Sequence, residues 1–252
     1  MQQQSLMSIL TNIKDGLKKV LVHSPIALTK NMLYDQQTRK IFSRVLQKDS
    51  NCIDVGCHTG EIMDLMVQHA PHGHHFGFEP LPHLNAQLHK KYSANDQITI
   101  YDYALSNVAE QEVSFNYVVS NPAYSGLQKR AYAKANEEEQ TITVQTAMLD
   151  RLIADDLAID LIKIDVEGGE MLVLEGAIDL IQRNQPYVIF EHGLGAADYY
   201  GTRPEQVFDY FDKVDMQLST LGSFLNNSTP LSRDGFVQQF DEHQNYYFIA
   251  HP

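Results

Sequence analysis

Apolar positions along the chain fall into two textures. Over residues 1–22, Leu6, Ile9, Leu10, Ile13, Leu17, Val20 and Leu21 recur at spacings of one, three and four, the signature of an amphipathic helix. Lys14, Lys18 and Lys19 lie among them, so this helix either packs on the chain's own core or meets a membrane surface or a partner. A second helical stretch runs over about 35–47, carrying Ile41, Phe42, Val45 and Leu46.

From residue 51 the pattern changes to short apolar runs separated by helical periods. The runs predict strands at 52–55, 74–78, 98–103, 161–164, 187–190 and 246–250. Helices are expected between most of them, at 60–69, 82–92, 170–183 and 204–213. Strands and helices alternating at this spacing require parallel crossovers, hence an α/β sheet covered on both faces. Two stretches break the rhythm: 112–119 and 140–146 alternate apolar and polar residues with no helix between. They predict an inserted antiparallel hairpin. The organisation expected is one domain over 49–252, preceded by an N-terminal helical extension over 1–48.

Composition narrows the class. Lys plus Arg number 19 against 32 Asp plus Glu, for a net charge of −13 over 252 residues, which disfavours nucleic acid and anionic lipid as generic partners. The only cysteines, Cys52 and Cys57, do not make a disulfide framework. No apolar run approaches the roughly 18 residues of a membrane span, and the N-terminus lacks a signal-peptide pattern. These features point to a cytoplasmic globular protein, with a homo-oligomer or a membrane-surface contact through the N-terminal helix left open.

Chemistry concentrates at predicted strand ends. The stretch from Asn51 to Gly60 reads NCIDVGCHTG, so an acidic residue, Asp54, sits in the first strand, with Gly56 and Gly60 in the turn to a helix. A ligand lying across strand ends needs such a turn, where backbone without Cβ atoms can approach it closely. Neither the dinucleotide fingerprint nor the phosphate loop with its Lys is present. The second strand ends in Glu79-Pro80, and a carboxylate there is placed to accept hydrogen bonds from two ribose hydroxyls. The most informative segment, residues 160–170, reads DLIKIDVEGGE. Strand alternation puts Lys163 and Asp165 on one face and Ile162 and Ile164 on the other. A lysine inside an apolar strand needs a partner, and Asp165 is the nearest candidate.

Taken in order, Asp54-to-Gly60, Phe78-Glu79-Pro80, residues 103–106 (YALS), Leu149-Asp150, residues 162–168 (IKIDVEG), Gly176-Ala177 and Pro186-to-Glu191 resemble the FkbM-type S-adenosylmethionine-dependent methyltransferases. The resemblance spans about residues 50–192, with a looser match to the last strand and none before residue 30. It implies a Rossmann-like, mostly parallel seven-stranded sheet whose last strand is antiparallel, and O-methylation, often of sugar or polyketide hydroxyls. Cofactor contacts are expected from Asp54, Gly56, Cys57, His58, Thr59, Gly60, Glu61, Glu79, Pro80 and Asp165, with adenine near Asp102, Tyr103 and Ala104. Cys57-His58 stand where many relatives carry Ala-Asn.

Glu191-His192 end the strand expected to neighbour Asp165. An imidazole titrates near working pH, so His192 is the expected general base, oriented by Asp165 or Glu191, with Lys163 steadying Asp165. The variant is a magnesium or manganese ion held by Asp165, Glu191 and His192. The acceptor, a sugar, glycan or related small molecule, is expected against Ser125, Glu167, Tyr199 and Tyr200, with the loop 121–126 closing over cofactor or acceptor as a lid. His69, His72, His74 and His75 lack zinc-site spacing and read as loop residues. Competing readings are a cofactor-binding module without transfer and an NAD-linked oxidoreductase that would share Glu79.

Overall fold

The computed structural model describes residue 27, residues 29–132 and residues 136–252. The helix expected over 1–22, with its membrane or partner contact, lies outside the described residues. In chain order, the first half comprises α1 (Lys30–Val45), β1 (Cys52–Val55), α2 (Glu61–His69), β2 (His75–Phe78), α3 (Pro82–Tyr92), β3 (Ile98–Tyr101), β4 (Tyr103–Leu105), β5 (Glu112–Val118) and β6 (Glu139–Ala147). The second half comprises α4 (Leu149–Leu152), β7 (Leu161–Ile164), α5 (Glu170–Glu175), α6 (Ile178–Asn184), β8 (Tyr187–Glu191), α7 (Pro204–Lys213), β9 (Gln217–Thr220), α8 (Leu221–Leu225), α9 (Arg233–Asp241) and β10 (Tyr247–His251).

Seven strands form one sheet in the order β3-β2-β1-β7-β8-β10-β9. Neighbours from β3 to β8 are parallel, while β10 runs antiparallel to both β8 and β9. One face buries Ile53, Ile162, Ile164, Val188, Phe190 and Phe248 under α5, α6, α7 and α9. The other buries Cys52, Leu161, Ile189 and Ile249 under α1, α2 and α8. The central strands are apolar on both faces because both are covered. Among the described residues no helix is long and apolar enough to cross a membrane.

Local chemistry accounts for the departures from the sequence pattern. The run expected at 98–103 divides: β3 stays in the main sheet, while β4 leaves to pair in parallel with β6. The expected hairpin, β5 with β6, thereby becomes a three-stranded sheet. The helix expected over 170–183 breaks after Glu175. A Cβ on Gly176 would stand 2.1 Å from the Ser106 carbonyl oxygen, so only glycine permits that approach. The carboxylate of Asp150 then accepts from the amides of Asp179 and Leu180 at 3.2 and 2.8 Å, satisfying the first turn of α6 as a cap does.

Candidate active site

The order of the sheet places its crevice where β1 stands between β2 and β7, whose crossovers leave in opposite directions. The chain leaves β1 through Gly56, at φ +84°, where a Cβ would meet the backbone oxygen of Asp165 at 2.0 Å. The amides of Gly56 and Cys57 both donate to the Phe78 carbonyl, 3.0 Å each. Glu79 completes the turn: its two oxygens accept from His58 N and Leu81 N at 2.9 Å. Burial pushes the Glu79 carboxyl up to about 7 and that of Asp54 up to about 6.

A cavity of about 250 Å³ opens above this turn. Gly56, His58, Glu79 and Pro80 form its floor, Phe78, Leu81, Tyr103, Ala104, Leu105 and Phe115 its apolar slot, and Asp165, Glu167 and Tyr200 its far wall. Ser125 closes it from above, with its hydroxyl accepting from Val118 N at 3.0 Å. A flat aromatic base fits the slot, and a ribose diol fits the spare lone pairs of Glu79.

Asp165, one residue past β7, is engaged by two side chains. Lys163, 3% exposed, reaches its Oδ2 at 3.2 Å and lies 4.7 Å from the centroid of the Tyr247 ring. The Tyr247 hydroxyl donates to the same oxygen. Burial works against the Asp165 charge, yet Lys163, Tyr247 and Glu191 together hold its pKa below the usual carboxylate value. Burial and the Asp165 charge push Glu191 up to about 8. Burial and the neighbouring charge thus favour the protonated form of Glu191, while Lys163 and Tyr247 favour the ionised form of Asp165.

The loop after β7 is held from within. Glu167 takes a left-handed φ of +61° and pairs with Arg130, whose guanidinium lies 5.2 Å from the Tyr124 ring. Glu170, buried at the start of α5, accepts from Val166 N and Gly168 N at 3.1 and 3.2 Å.

A second cavity, about 760 Å³, adjoins the first; Ala123, Asp165 and Glu167 line both. Its other walls include Lys163, Glu191, Tyr246 and Tyr247 from the sheet, Tyr124 and Arg130 from the loop, and Met32, Tyr34 and Asp35 from α1. A bound molecule in each cavity would meet at Asp165.

The chain matches the methyltransferase FkbM domain over residues 54–225. It belongs to the FkbM methyltransferase family. The β3-β2-β1-β7-β8-β10-β9 sheet is accordingly the class I methyltransferase fold, and the family match sets aside the NAD-linked oxidoreductase. An FkbM methyltransferase from Methylobacillus flagellatus KT is similar in fold, with TM-score 0.49 and 13% identity over 97% of this chain and 60% of that one. The chain therefore spans about three fifths of that protein's length. An rRNA methylase from Streptococcus thermophilus gives TM-score 0.44 and 9% identity over 89% of this chain and 97% of that one. A precorrin-6y C5,15-methyltransferase from Geobacter metallireducens GS-15 gives 0.41 and 15% over 77% and 78%. Among curated proteins none matches the chain.

Several expected contacts of this FkbM chain fall elsewhere. Cys57 is buried beneath the turn, donating to the Asp54 carbonyl, and Thr59 and Gly60 offer their carbonyls to Lys91. Neither these three, nor Asp54, nor the exposed Asp102 lines the first cavity; Glu61 lines the second instead. Tyr199 is 48% exposed and lines neither, whereas Tyr200 turns inward and accepts from Gln128 N at 2.9 Å.

The largest correction is His192. Strand alternation along β8 turns Glu191 toward Asp165 and His192 to the opposite face. There its ring stacks on Phe236 and Phe240, with centroids 5.8 and 4.8 Å away. It lines neither cavity, and its Nε2 is buried without a partner. It is neither the base nor a metal ligand. Among the described residues, the group able to converge on an ion is Asp165, Glu167 and Glu191, but Lys163 and Arg130 already neutralise two of these, which disfavours magnesium or manganese.

Burial pushes the His192 imidazole down to about 4. The unfolded chain takes up a proton near pH 6.5 that the folded chain refuses until about 4. The stability this group contributes is complete above 6.5 and lost as pH falls through that window, on the order of 3 kcal/mol. His192→Phe is therefore expected to flatten the fall in urea-unfolding free energy between pH 6.5 and 4. An unchanged slope would assign that fall to other groups.

The sequence reading missed Tyr247, Tyr34, Arg130 and Glu170. A tyrosine in an expected strand and an arginine beside an expected lid carry no local mark of a site. Glu170 did carry one, as an acidic residue at a helix start behind two glycines.

Proposed function

We propose that this FkbM protein transfers the methyl group of S-adenosylmethionine to a hydroxyl of a sugar, glycan or related small acceptor. The observation that carries the reading is the meeting of two cavities at one ionised, positioned carboxylate, Asp165. Glu79 would hold the ribose, the Phe78–Leu105 slot the adenine, and the Gly56 turn the methionine portion. When bound, the cofactor supplies a methyl carbon on a sulfonium, which leaves as the neutral thioether once that bond breaks.

The chain's own residues supply alignment and proton acceptance. An acceptor hydroxyl seated in the larger cavity gives its proton to Asp165 as its oxygen forms the new bond to carbon. Lys163 and the Tyr247 hydroxyl keep Asp165 ionised and aimed. Tyrosine faces and hydroxyls, interleaved with carboxylates, suit a polyol with one apolar side. Arg130 and Tyr124 tie the 121–132 loop across both cavities, where it excludes water.

The test uses cofactor labelled in its methyl group with methyl glycosides of rhamnose, fucose, mannose and glucose. Labelled ether is the expected product. Cofactor binding without transfer to any sugar would favour the binding-module reading.

A further inference from the structure

The two cavities differ in which parts of the chain build them. The described walls of the smaller one lie between Val55 and Tyr200, inside the family match of 54–225. The larger one is walled on one side by residues from before and after that match: Asn31, Met32, Tyr34 and Asp35 of α1, with Tyr246 and Tyr247.

These two outlying segments are fastened to each other. Lys30 Nζ donates to the carbonyls of His243 and Gln244 at 3.1 and 2.9 Å. Tyr34 donates to Asn245 Oδ1 at 3.0 Å, and the Tyr246 hydroxyl donates to Asn31. The Tyr34 ring packs on those of Tyr246 and Tyr247, with centroids 4.9 and 5.1 Å apart. The start of α1 and the entry to β10 thus form one clamp over the larger cavity, and the clamp contributes nothing to the smaller one.

Resting on the reading above, we propose that this clamp is the acceptor-selecting element of the enzyme, with Met32 and Asp35 its specificity-determining residues. They lie three apart on one helical face, so both border the same cavity wall. Met32 sets the free width by its flexible side chain. Asp35 offers acceptor oxygens to the hydroxyls of the polyol that are not methylated. Asp35 feels the charges of Lys163 and Asp165 across the cavity, but the hydrogen bonds to Asp165 come from Lys163 and Tyr247, so both residues are expected to act on acceptor binding more than on the chemical step.

Met32→Trp and Asp35→Ala test this in the full chain with the four methyl glycosides and labelled cofactor. Met32→Trp is expected to raise acceptor KM tenfold or more, and Asp35→Ala about tenfold, each with kcat within about twofold. The thermal shift by S-adenosylhomocysteine should be unchanged in both, which also shows that the variants fold. Wild-type acceptor KM in both variants overturns the clamp alone. A parallel fall in kcat at constant KM overturns it too, by placing the residues in the chemistry. Absence of labelled product with wild type, despite a normal thermal shift, overturns the clamp together with the transfer reading.

Discussion

Asp165→Asn is expected to lower methyl transfer about 100-fold or more, the usual magnitude for a lost general base. The loss should appear in kcat, because an amide keeps the size of the group but cannot accept the hydroxyl proton. The substitution also strips Lys163 of its counter-charge at 3% exposure, so a lower melting temperature is expected alongside. Thermal shift by S-adenosylhomocysteine separates the effects: a folded variant that binds cofactor but does not transfer is the expected outcome. His192→Phe is the matched control, since that side chain stacks on Phe236 and Phe240 on the far face of the sheet. Near wild-type kcat in Asp165→Asn would remove Asp165 from the chemistry and leave alignment alone to drive the reaction.

Glu79→Ala is expected to abolish most of the cofactor-dependent thermal shift. Wild type at 100-fold the dissociation constant should gain about 2.7 kcal/mol. The variant loses the carboxylate facing the ribose position, and it leaves the amides of His58 and Leu81 without their acceptors, so the turn itself loosens. A pH series supplies an independent check. Burial holds the Glu79 pKa near 7, and ribose hydroxyls donate best to the ionised form, so affinity should rise between pH 6 and 8. The sign is opposite for stability without ligand: a raised carboxyl pKa stabilises the fold below its unfolded value and loses that contribution as pH climbs through 7. A full thermal shift in Glu79→Ala would overturn the assignment of the smaller cavity.

Strand and helix periods, the glycine turn, Glu79 and the Lys163–Asp165 pair were all readable from residues close together in the chain. Each rests on a local rule: alternation along a strand, the backbone freedom of Gly56, the need of a buried lysine for a partner. The same alternation rule, carried one strand further, separates Glu191 from His192, so that error lay in its application and not in the sequence.

What local rules could not reach was the larger cavity. Tyr247 meets Asp165 because β10 pairs antiparallel with β8, setting Tyr247 opposite Glu191, and register between distant strands is a property of the assembled sheet. Arg130 finds Glu167 from 37 positions away (167 − 130) through a loop with no periodicity. Tyr34 meets Tyr246 from opposite ends of the described chain. The sequence by itself determined the sheet, the crevice at its strand ends and the glycine turn with Glu79 beside it, because those depend on neighbours a few positions apart. Tertiary packing alone decided which side chains face the acceptor, because burial and long-range pairing bring them together from segments that share no pattern.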